Sequence, residues 1–270
     1  MATTIFGTVT TGVTLTTAYQ NPLSVTANSY VTNTAGGDAV YGNTAAAWTV
    51  SNLGTINGTG TSGTGILLRA GGNVTNGASG STIGLIKGYF EGVVIEGSPG
   101  TVANFGTITS TRTNGAAIDL VAGGSVTNGQ SGSAGGLIQS GGNDGVYVFT
   151  GAGTVTNFGT IQSNSSGAGV RFNIGGSVTN AISGLIEGGV GVETGIGVGT
   201  LAGAAGTVVN LGTIEASSSA FGAGVDLLEG GSVTNGGLDG RVDRGSAERG
   251  QHKRQPRHRR QFRDDRGHRD

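Results

Sequence analysis

From Thr49 to Ile56 the chain alternates, with Val50, Asn52, Gly54 and Ile56 on one parity and Thr49, Ser51, Leu53 and Thr55 on the other. A period of two predicts a strand with one face buried. The phrase Thr-Val-x-Asn-Leu/Phe-Gly-Thr-Ile returns at Thr101–Ile108, Thr154–Ile161 and Thr207–Ile214, with starts 52, 53 and 53 residues apart. A second short strand follows each copy, as in Thr64–Leu68, Ala116–Leu120, Ala168–Phe172 and Ala223–Leu227. Between the copies runs Gly-Gly-Asn/Ser-Val-Thr-Asn, followed by strands of its own at Gly92–Ile95 and Gly145–Val148. A period held this tightly predicts one unit stacked on copies of itself, each burying its apolar face on its neighbours.

The asparagines count the coils. Asn52, Asn76, Asn104, Asn128, Asn157, Asn180, Asn210 and Asn235 are 24, 28, 24, 29, 23, 30 and 25 residues apart, so each unit holds two coils. An antiparallel sandwich or propeller has the same alternation but no reason for one Asn per coil. The pattern predicts an all-β fold, a parallel β-helix of about eight regular coils, with its asparagines forming an amide ladder at one corner. Such a rod measures roughly 40 Å. Residues 1–45 are expected to form a cap and irregular first coil or coils, with Val-Thr-Asn at 31–33 beginning an extra one. The repeats run over 46–240, and the Gly/Ser-rich stretches Gly129–Gly136, Ser163–Ser165 and Thr194–Ala205 read as corner loops.

Composition agrees with strands joined by tight corners. The chain has 57 Gly, 3 Pro and no Cys, with Val, Ile, Leu and Ala supplying most apolar positions. The Gly has no period of three, which excludes collagen. No apolar run approaches the roughly 20 residues of a membrane helix, and Met1–Val25 shows no standard signal peptide.

Charge divides the chain. Residues 1–240 carry 4 Lys+Arg and 11 Asp+Glu, a net charge of −7, whereas residues 241–270 carry 11 Lys+Arg, 5 Asp+Glu and all three His. A basic arm for nucleic acid is one reading of that tail; a shifted reading frame is the preferred one. With Arg254–Asp265 coded by CGN arginines, advancing the frame by one nucleotide permits the repeat segment Gly97–Ile108 at all twelve positions. The Asn of that segment then falls 51 residues beyond Asn210, one repeat period on. The tail is therefore expected to be disordered, and no nucleic-acid partner is expected.

The residues predict no catalytic, cofactor or metal site. No His precedes the tail, so neither a His-based triad nor a His metal site is available. Asp119, Arg171 and Asp226 hold equivalent repeat positions, two coils or roughly 10 Å apart. They read, with Glu96, Glu187, Glu193 and Glu215, as isolated solubilising charges. Gly123-Gly124 and Gly175-Gly176 lack the Lys and helix of a phosphate loop. Leu53, Phe105, Phe158 and Leu211, each next to a marker Asn, are expected to turn inward and stack in the core rather than form an aromatic stripe for carbohydrate.

The Thr-Val-x-Asn-x-Gly-Thr-Ile and Gly-Gly-Ser-Val-Thr-Asn phrases, over about residues 46–236, resemble the β-strand repeats of autotransporter-like bacterial surface proteins. That resemblance implies a right-handed parallel β-helix, displayed outside the cell or at the outer membrane by a C-terminal barrel that this chain does not contain. It implies a structural or adhesive role without catalysis, with corner loops meeting a host surface, an abiotic surface or carbohydrate. Two rivals carry their own signatures. A polysaccharide-active lyase or hydrolase requires acidic or basic side chains clustered on one face within three coils. An ice-binding solenoid requires a flat outward Thr-x-Thr array, against which Thr49, Thr101, Thr154 and Thr207 recur only on alternate coils.

Overall fold

The computed structural model describes residues 2–133, 135–164, 167–194, 202–217 and 222–236. The tail at 241–270, Ser165 and most of the Thr194–Ala205 loop lie outside the described residues. The chain winds as a parallel β-solenoid of nine turns, each turn placing one strand on each of three faces. The first face has ten strands, from Thr3–Ile5 to Gly231–Asn235; the second runs from Thr8–Val9 to Thr213–Ala216, and the third from Val13–Leu15 to Val225–Leu227. Strand neighbours pair in parallel on every face.

Coils 1 to 9 span residues 3–15, 23–42, 48–68, 72–95, 100–120, 124–148, 153–172, 176–194 and 206–227, and Gly231–Asn235 opens a tenth. Each 52–53-residue unit is thus two turns. Coils 1 and 2 join the same three faces without a marker Asn, because Ile5 pairs with Val25 and Val25 with Asn52. Val31-Thr32 does not begin a coil; it lies on the second face opposite Ile56-Asn57.

Identical registers stack identical residues. Val50, Val74, Val102, Val126, Val155, Val178 and Val208 form one file, and Ile56, Ile86, Ile108, Ile138, Ile161, Ile186 and Ile214 another, none more than 1% exposed. β-Branched side chains are restricted at χ1 and pack well on a pleated surface, so each copy fits the copy below. Burial of each contributes about 1.5–3 kcal/mol.

The corner from third face to first is narrow. A Cβ at Gly100 would lie 2.7 Å from the Ile95 side chain, and one at Gly153 would lie 2.5 Å from the Phe172 ring. In coils 3, 4, 5, 7 and 9 a large residue ends the third-face strand, with Val148 and Thr194 in coils 6 and 8, and Gly begins the next first-face strand. Between coils 2 and 3 the order reverses. Trp48 occupies the Gly register and is fully buried, while Gly42 occupies the register of Leu68. A Cβ at Gly42 would meet the indole at 2.4 Å, so the two positions share one volume. The indole N–H donates to the Asn43 carbonyl at 2.7 Å.

Candidate functional surfaces

The marker asparagines stand in one file where the first face ends, and Asn52 to Asn210 are wholly buried while Asn235 is exposed. Each Nδ2 donates to the Oδ1 one coil on: Asn52 to Asn76 at 2.8 Å, Asn76 to Asn104 at 2.9 Å, and Asn104 to Asn128 at 2.8 Å. Asn128 to Asn157, Asn157 to Asn180 and Asn180 to Asn210 follow at 2.9 Å, and Asn210 to Asn235 at 3.1 Å. The same Nδ2 of Asn128 also faces the carbonyls of Gly136 at 3.1 Å and Thr160 at 2.9 Å. Two N–H groups therefore serve three acceptors, one of them shared. This file is structural, since its polar atoms are turned to one another.

The corner beyond the asparagines corrects the expected core stacking. Leu53, Phe105 and Phe158 lie half-buried on the outside, and Leu211 is 36% exposed. The Asn amide fills the corner interior. Asn52 accepts the Gly54 N–H at 3.1 Å and faces the Gly54 carbonyl at 3.2 Å, so the alternation passes through the bend unreset. Phe6 lies in the same file, because Ile5 and Asn52 share a register through Val25, and it is 76% exposed. Its phrase Ile5-Phe6-Gly7-Thr8-Val9 would have revealed coil 1, had Ile been read in place of Asn.

Even coils replace this tight bend with a longer loop: Gly77–Gly84, Gly129–Gly136 and Ala181–Gly184. The Ser79 hydroxyl donates to the Gln130 side chain, joining the first two loops across the intervening Phe105 corner. The third loop is shorter. Between it and Ser131–Ser133 opens a groove of about 480 Å³, lined also by Phe158, Ile182 and Leu211 and by no charged residue.

The third face corrects the reading of its charges as isolated. Asp119, Tyr147, Arg171, Glu193 and Asp226 are successive neighbours in one outward file. Arg171 ion-pairs with Glu193 at 3.1 Å and with Asp144 at 3.2 Å. Asp144, 1% exposed, also accepts the Ala168 N–H at 2.7 Å. Asp38 makes the equivalent contact four coils earlier, accepting the Thr64 N–H at 3.1 Å. Tyr147 accepts from Asn173 at 2.7 Å.

Burial is the main cause of the electrostatics here. Loss of water raises Asp119 to about 7, helped by Glu91, Glu96 and Asp144. It raises Glu91 to about 7 against the Thr64 hydrogen bond, and Asp144 to about 6 against Arg171. One oxygen of Asp119 is buried without a hydrogen-bond partner. A carboxyl that titrates near neutrality, beside Tyr147 and an arginine-paired Asp144, is chemically able to exchange a proton. Among the described residues no group of three or more His, Cys, Asp or Glu is placed to hold a metal ion. None of their helices is long and apolar enough to cross a membrane.

The first face differs from both others, for its ten strands carry no charged residue. Its outward positions are the second and fourth of each five-residue strand. In coils 6 to 8 these are Ser125 and Thr127, Thr154 and Thr156, and Ser177 and Thr179. Asn73, Ala103 and Val209 interrupt the hydroxyls elsewhere. Along the outer file Ser125 donates to Thr101 at 3.5 Å and Ser177 to Thr154 at 3.4 Å. By contrast, Lys87, Glu187 and Glu215 project from the second face. No family model, no curated protein and no solved structure matches this chain.

Proposed function

We propose that the chain is a non-catalytic structural and adhesive rod, resembling the passenger of an autotransporter-like bacterial surface protein and acting outside the cell or on its surface. The observation that carries this reading is the first face: ten uncharged strands, lined with hydroxyls, on a rod whose interior is filled by buried apolar side chains. A long, neutral face can make many weak contacts with an extended surface, and these add when they are rigidly linked. The uncharged Phe158 groove on the neighbouring corner offers a second contact for a neutral sugar or an apolar group. Beads coated with the protein, driven by flow over glass, polystyrene and cellulose films, should be retained on at least one film above beads coated with an unrelated protein. Retention no higher than that of the control beads on all three films would remove the adhesive role.

One observation favours a second reading, that of a polysaccharide-active enzyme. Asp119, Asp144, Tyr147 and Arg171 come from three consecutive coils on one face, which is the clustering that such an enzyme requires. Incubation with neutral and acidic polysaccharides tests it. Release of reducing or unsaturated ends, abolished by Asp119→Asn, would establish the enzyme; no release from any of them would leave the cluster as a structural ion-pair network.

A further inference from the structure

We infer that the first face binds ice. The inference rests on the adhesive reading and names the surface that the face engages. The sequence counts against ice, because threonine at the outer position recurs only on alternate coils. Register removes that objection. Ser125 and Ser177 fill the intervening coils of the outer file, and Thr127, Thr156 and Thr179 occupy three consecutive coils of the inner one.

The backbone positions that carry hydroxyls therefore form a two-dimensional lattice rather than a stripe, with repeats of about 4.8 Å from strand to strand and roughly 6.7 Å between alternate residues of a strand. Along the outer file the hydroxyls themselves draw together in pairs, Ser125 with Thr101 at 3.5 Å and Ser177 with Thr154 at 3.4 Å. The prism planes of hexagonal ice repeat on two lengths close to these. Threonine suits such a lattice, because its hydroxyl anchors water while its methyl group leaves neighbouring waters free to order.

Charge supports the same occupant. Lysine and carboxylate groups hold tightly bound water in their own geometry, and none lies on this face, although Glu187, Asp119 and Arg171 stand on the other two. Rigidity does as well. The packed valine file beneath the face and the asparagine file at its edge hold the strands at one spacing. A dissolved neutral polymer offers hydroxyls too, but a flexible chain has no fixed lattice to reward this one.

The test is slow growth of ice from a dilute solution of the full chain, measuring the protein held in the ice against that left in the liquid. The wild type should be enriched in ice relative to an inert globular protein. Thr156→Lys, at the centre of the lattice, should lower that enrichment by roughly tenfold or more, because its charge must lose water at the ice surface. Gln162→Lys, on the second face of the same coil, should leave enrichment unchanged, and circular dichroism should show all three proteins folded. Should Thr156→Lys fail to fold, Thr127→Lys takes its place. Exclusion of the wild type from ice would overturn the inference, and so would equal behaviour of the two folded lysine variants. Protein that enters ice but holds coated beads neither to ice nor to any of the three films keeps this inference and removes the adhesive role; beads held on cellulose by protein excluded from ice do the reverse.

Discussion

At the scale of single residues, the fold depends on how buried amides are satisfied. Each asparagine of the file meets its neighbour above, its neighbour below and the backbone of its own corner, so removing one orphans groups in two coils. Asn128→Ala strips the acceptor from Asn104 and the donor from Asn157, and is expected to cost about 2–4 kcal/mol, since each orphaned buried group costs about 1–3 kcal/mol. Chemical denaturation checks this, and a cost below about 1 kcal/mol would mean that water replaces the amide. The third-face acids act in the other sense. Their folded values lie above the ordinary 3.8 and 4.5, so the folded state binds protons that the unfolded state releases. Their contribution is complete below about 4 and is lost as pH rises through about 6 to 7. Melting midpoints should therefore be higher at pH 5 than at pH 8, and Asp119→Asn should flatten that slope by raising the midpoint at pH 8.

At the scale of strands and corners, position matters more than residue type. Gly42 and Trp48 divide one volume between two strands, and Gly42→Leu alone places its Cβ against the indole. The single variant is expected to lose about 3 kcal/mol or more through overpacking. Adding Trp48→Gly gives this corner the large-then-Gly order of Leu68–Gly72 and Ile95–Gly100 and should recover most of the loss, which a double-mutant cycle would show as strong coupling. The coils that the sequence reveals are those whose strands carry a marker. Val-x-Asn followed by Gly-Thr-Ile or Gly-Leu-Ile announces itself, whereas coils 1 and 2 carry Ile5 and Val25 in the same file and are silent. The outward turn of Phe105 and Phe158 was hidden too, because it depends on where the neighbouring amide points. The charged file was obscured by loops of unequal length between the second and third faces. Aligning third-face strands instead of asparagines would have placed Asp38, Glu91 and Asp144 two residues before Val40, Val93 and Val146.

At the scale of the whole molecule, the solenoid is a one-dimensional stack in which each coil touches chiefly its neighbours. Deleting residues 100–152 removes coils 5 and 6 and brings Pro99 to Gly153, which shares the register of Gly100. The shortened rod should fold, with a urea m-value reduced in proportion to the surface it no longer buries. Failure to fold would mean that coils 5 and 6 hold something the others lack. Deletion of a single coil should be worse, because it brings two long-loop corners or two tight ones into succession and breaks the alternation of Gly129–Gly136 with Phe105 and Phe158.

The asparagine file also has a direction. Every bond between neighbouring asparagines runs from the Nδ2 of one coil to the Oδ1 of the next higher-numbered coil. The two ends of any partial stack are thus chemically unlike, one offering open donors and the other open acceptors. A completed turn is a mould for the next, accepting only a strand that arrives in register with its own amide ready to receive. Two half-built stacks can join head to tail but not head to head, so the assembling rod carries an arrow that keeps its turns in sequence.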